Sequence, residues 1–181
     1  MKTANETKKE TPKIYVADLA AYNAGTLHGC WIDANQPAEE LHQAIQAMLS
    51  ESPEPISEEW AIHDYQGFGS FRLGEFEDIE SVSALAQLIG EFGGVVASAA
   101  WEHTGGGAAQ AREFLEEKYQ GSWDSLEAWA EDLLANSGEL GQVPEHLRPY
   151  IDIASYARDL ELNGEVFTVE DGHQVHVFLG C

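Results

Sequence analysis

Between Ala108 and Leu134 apolar residues recur at helical spacing, and this periodicity limits the local fold more than any other feature of the chain. Ala111, Phe114 and Leu115 fall on one side of a first helix, with Glu113, Glu116 and Glu117 opposite. Past a break at Gln120-Gly121-Ser122, the residues Leu126, Trp129, Ala130 and Leu133 form a second apolar stripe. Asp124, Glu127 and Glu131 stand at i, i+3 and i+7 on one face of that second helix, with Asp132 beside them. Two consecutive amphipathic helices are therefore expected to turn lines of carboxylates toward solvent.

Such lines oppose the helices that carry them. The pairs 113/116, 113/117, 124/127 and 127/131 set like charges three or four residues apart, each unfavourable by roughly 0.2–0.5 kcal/mol. Together they amount to about 1–2 kcal/mol, a noticeable part of a domain's net stability. A chain shaped only for solubility would interleave lysines there. The bias is general: of 32 acidic and 9 basic residues, the stretch 14–181 holds 30 acids against Arg72, Arg112, Lys118, Arg148 and Arg158. Binding nucleic acid directly needs a basic footprint, so this balance argues against it and for a partner with a basic surface.

Disorder is the common fate of so much like charge. Here 44% hydrophobic residues, with five Trp, six Tyr and seven Phe, argue for folded cores instead. Cys30 and Cys181 are the only cysteines and lie far apart, which fits a reducing cytoplasm better than a disulfide framework. No stretch is apolar enough for a membrane span, and no basic leader followed by an apolar run opens the chain.

In chain order, residues 1–12 read as a flexible tail. Residues 13–66 read as a small α+β module. Strands around Ile14–Val16 and Thr26–Ile32 form an antiparallel pair, a helix begins with Pro37 at its first position, and a third strand covers Trp60–Tyr65. Residues 67–107 form a mostly helical module. Glu75, Glu77, Asp78 and Glu80 lead into a helix whose stripe is Val82, Leu85, Ile89 and Phe92, and Val95–Trp101 fits a helix or a buried strand equally. Residues 108–181 carry the acidic helices, a short turn begun by Val143-Pro144-Glu145, a helix over Ile153–Leu162, and a hairpin marked by Asp171-Gly172. The expected fold is α+β, an elongated chain of three small modules.

No enzyme signature stands out. His173 and His176 would point to opposite faces of a strand, the glycines at 105–107 lack the pattern of a phosphate loop, and no calcium-loop spacing occurs. No catalytic residue, metal or cofactor is expected. Two other classes compatible with the charge are an acid-rich enzyme adapted to high salt and an acidic module for some other basic DNA-binding protein.

Three stretches resemble the ArdA antirestriction family: IYVADLAAYNAGTLHGCWIDA (Ile14–Ala34), EKYQGSWDSLEAWAEDLL (Glu117–Leu134) and ELGQVPEHLRPYIDIASYARDLELN (Glu139–Asn163). The resemblance implies a non-enzymatic, cytoplasmic, homodimeric inhibitor, commonly encoded on conjugative elements. It would imitate bent DNA and occupy the DNA channel of the specificity and methyltransferase subunits of type I restriction–modification enzymes. The family's antirestriction motif, associated with its dimer contact, maps onto Leu133, Glu139, Leu140, Val143, Pro144, Glu145, Leu147, Tyr150 and Asp152. The phosphate surrogates expected are Glu75, Glu77, Asp78, Glu80, Glu113, Glu116, Glu117, Asp124, Glu127, Glu131 and Asp132. The lysine-bearing tail and the acid-poor stretch 93–107 depart from the family's pattern. Charge arithmetic agrees with the resemblance: at one duplex charge per ~1.7 Å, about 25 charges match ~12 base pairs, and a two-fold dimer ~25.

Overall fold

A computed structural model describes residues 11–180. Most of the tail expected over residues 1–12, and Cys181, lie outside the described residues. The architecture is α+β, with two three-stranded antiparallel sheets and their helices. It divides into two compact units, Met1–Arg112 and Glu113–Cys181.

In the first unit, β1 (Lys13–Asp18) is the central strand between β2 (Gly29–Asp33) and β3 (Trp60–Gln66), all antiparallel. Alternation decides the faces. Ile14 pairs with Ile32 and Val16 with Cys30, putting apolar side chains on one side, while Tyr15 pairs with Trp31 on the other. A short helix that local pattern did not announce, α1 (Leu19–Asn23), links β1 to the Asn23-Ala24-Gly25 turn. Helix α2 (Ala38–Ser50) lies against β1 and β2 and buries Leu41, Ile45, Met48 and Leu49. It starts one residue later than expected: Pro37 has extended backbone and caps the helix rather than occupying its first turn. Helix α3 (Ile79–Phe92) packs on α2 and on α4 (Gly94–His103), which resolves 95–101 as helical.

Helix α5 (Ala108–Lys118) contains the division between the units at Arg112/Glu113. Past it, the expected break at Gln120–Ser122 is a strand, β4 (Tyr119–Trp123). Gly121 at φ +98° supplies the irregularity that hides it, because the register to the partner strand shifts between Tyr119 and Ser122. Then come α6 (Leu126–Asn136), α7 (Glu139–Gln142), a 3-10 turn (Glu145–Tyr150) and α8 (Ile153–Leu162). The chain ends in the hairpin β5 (Val166–Asp171) and β6 (Gln174–Leu179), with β6 central in the order β4–β6–β5. Gly172, first of the two loop residues, takes φ +63°, as a type II′ hairpin requires.

The β4–β6–β5 sheet is covered on both faces. Trp129, Ala130, Ala157, Leu160, Val166 and Val177 form one core with α6 and α8. On the other face Phe114 stacks with Phe167 and Phe178, whose rings are 4.7 Å apart.

Candidate functional site

The acids expected at the surface are built by ordinary amphipathicity. Ala111, Phe114 and Leu115 are buried on α5, leaving Glu113, Glu116 and Glu117 exposed on its other side. On α6, Trp129, Ala130 and Leu134 are buried, leaving Glu127, Glu131 and Asp132 exposed. Asp124 is exposed but does not belong to the helix. Ser125 is the N-cap, accepting from the Ala128 N–H at 3.1 Å, so Asp124 precedes it. The expected 124/127 repulsion within a helix is therefore absent, and Asp124 sits where the positive end of the helix dipole favours an anion.

In the first unit, Glu75, Asp78 and Glu80 are exposed and Glu77 is half-buried. Two of these four have local tasks. The Glu77 carboxylate accepts from the Gly74 N–H at 3.2 Å, and Asp78 caps α3 by accepting from the N–H and hydroxyl of Ser81, both at 3.0 Å. A hydrogen bond with Glu80, together with those from Ser81, holds the Asp78 pKa below its ordinary value, so it keeps its charge into acid. His42 reaches Glu80 at 3.2 Å from α2.

The residues Leu133 and 139–152 have a different character. Helix α7 and the 3-10 turn bury no residue at all. Leu140 and Val143 are half-buried, while Glu139, Pro144, Glu145 and Asp152 are exposed. Leu147 is 46% exposed and Tyr150 84%. Leu133 was expected in the core stripe of α6; its phase does lie between Leu126 and Trp129, yet it is 37% exposed and Leu134 is buried in its place. The neighbouring elements cover the Leu134 flank of the helix rather than the Leu133 flank, a choice that helical phase alone does not give. Asp152 has a structural task. It caps α8 by accepting from the Ser155 N–H at 2.9 Å and the Ser155 hydroxyl at 2.8 Å, and these bonds lower its pKa.

Sequence reasoning missed two ionisable groups that the fold buries. Asp18 caps α1 and receives the Ser52 hydroxyl at 2.5 Å. His176, on β6, has its Nδ1 2.8 Å from the Tyr119 hydroxyl of β4 and its Nε2 3.8 Å from the Asp171 carboxylate of β5. Neither has a signal in local sequence, since each depends on a partner at least 34 residues away or on a strand pairing. The Cys30 thiol is half-buried, and burial, helped by Glu51, raises its pKa away from the thiolate a nucleophile needs. Among the described residues no group of His, Cys, Asp and Glu is arranged to hold a metal ion, and no helix is long and apolar enough to cross a membrane.

A protein-family model described as "Antirestriction protein (ArdA)" matches residues 14–175. No curated protein matches the chain.

Proposed function

The chain belongs to the ArdA antirestriction family, and from that premise we propose that it inhibits type I restriction–modification enzymes by standing in for DNA. Exposed carboxylates take the places of phosphates in a groove lined by Lys and Arg on the specificity and methyltransferase subunits, so incoming DNA is excluded. The supporting observation is the exposure of Glu113, Glu116 and Glu117 on α5 and of Glu127, Glu131 and Asp132 on α6, each opposite a buried apolar stripe. Like charges retained along one helix face oppose folding, and a basic partner offsets them. Glu75, Asp78 and Glu80 extend the acidic character to the first unit. The protein acts as an inhibitor in the cytoplasm, where the enzyme meets entering DNA, and needs no cofactor.

The acting form is a homodimer that buries Leu133, Leu140, Val143, Leu147 and Tyr150. A segment with no buried residue and several large exposed apolar side chains is supported as an interface by its chemistry.

The test is cleavage of DNA by a purified type I restriction enzyme, titrated with the protein at two salt concentrations. Stoichiometric inhibition that weakens as salt rises is expected, because each acid–cation contact releases or recaptures counterions. A folded protein without inhibition would refute the proposal and leave an acidic module for another basic partner.

A further inference from the structure

All seven phenylalanines lie within the described residues, and Phe76 alone among them is exposed, at 76%. Phe68, Phe114 and Phe178 are buried, and the other three are half-buried. Phe76 sits in the turn ahead of α3, directly after Glu75 and before Glu77 and Asp78. That turn is held from both ends. The Ile62 N–H on β3 donates to the Glu75 carbonyl at 2.8 Å, the Glu77 N–H donates to the Gly74 carbonyl at 3.3 Å, and Asp78 caps the helix that follows. The backbone under the ring is therefore ordered before any partner arrives, which removes much of the entropy lost on binding. A large apolar side chain on an ordered turn, bordered by charge, has the layout of an interface anchor with a polar rim.

We infer that Phe76 is an arginine-stacking residue of the inhibitory surface. Its ring face takes the flat side of a guanidinium, while the carboxylates bordering it accept the in-plane N–H groups of that same guanidinium. Arginine suits this double contact because it is planar, weakly hydrated and donates in a fork; a lysine ammonium offers only a point charge. The acids bordering the ring select a cationic occupant over a neutral apolar pocket. The partner is the one named above, a basic DNA-binding groove, so this inference rests on that function.

The full-length variants Phe76→Ala, Phe76→Leu and Phe76→Trp, titrated against a purified type I restriction–modification enzyme over several salt concentrations, test it. Alanine and leucine are expected to weaken inhibition about tenfold and tryptophan to stay within about twofold of phenylalanine, since stacking needs the ring. The slope of log potency against log salt is expected to stay unchanged in all three, because no charge is removed, whereas Glu75→Gln with Glu80→Gln lowers it. Melting temperatures should match the unaltered chain, the ring being exposed. Leucine as potent as phenylalanine, or alanine within about twofold of it, overturns the inference while the DNA-competitor function stands. Absence of inhibition by the unaltered chain takes down both.

Discussion

Asp18 is the one carboxylate among the described residues that the fold buries, and it caps a helix as the exposed Asp78 and Asp152 do. Burial pushes its pKa up, but the Ser52 hydroxyl and the N–H groups of Ala21 and Ala20 outweigh burial, and the net shift is downward. Asp18→Ala is expected to destabilise the protein by roughly 2 kcal/mol, read as a lower midpoint in urea unfolding, because it removes a helix cap and strands a buried hydroxyl. His176 behaves alike under acid for another reason: burial lowers its pKa below the ordinary 6.5, and the nearby Asp171 only partly opposes this. For both groups the unfolded chain takes the proton first, so stability is full above the unfolded pKa and is lost as pH falls. Stability should start to fall below about pH 6.5 through His176 and fall again below 3.8 through Asp18. His176→Gln keeps a polar partner for Tyr119 and should flatten the first decline in melting temperature while leaving the second. In sequence Asp18 reads as one acid among many and His176 as a strand residue. Neither environment is legible before strands and loops distant in the chain meet.

At the scale of elements, α5 and α6 were legible because their periodicity is local, and the acids fall opposite the stripe by geometry alone. The strand between them was not, because β4 is defined by pairing with β6, which lies more than 50 residues onward, and by a glycine bulge that resembles a break. With Asp124 outside α6, the like-charge pairs on helices are 113/116, 113/117 and 127/131. Replacing Glu113, Glu116, Glu117, Glu127 and Glu131 by Gln is expected to raise stability by about 1 kcal/mol through relief of those pairs. The same variant should lose inhibitory potency steeply, while any single replacement has little effect. Higher melting temperature with lower potency marks a surface kept for binding. Unchanged potency would remove the phosphate-surrogate role from these helices, and a loss of stability at low salt would point to a chain adapted to brine.

At the scale of the whole molecule, the proposed homodimer has its own test. Leu147→Glu with Tyr150→Glu is expected to convert the proposed dimer to monomer in sedimentation experiments while leaving the circular dichroism unchanged, since neither side chain is buried within its own chain. A dimer that survives both changes would place the contact elsewhere. By itself the sequence determined the α+β class, the family, the helix stripes apart from Leu133, and the acidic surface. These follow from local periodicity, composition and motif, and each is written within a few turns of chain. Only the tertiary structure decided that β4 is a strand and that Asp18 and His176 are buried. It also decided that Leu133 is left exposed while Leu134 is buried, and that Phe76 alone of the phenylalanines faces water. These outcomes depend on which distant segments come to cover a side chain, and burial, unlike helical phase, is a property of the neighbours rather than of the residue.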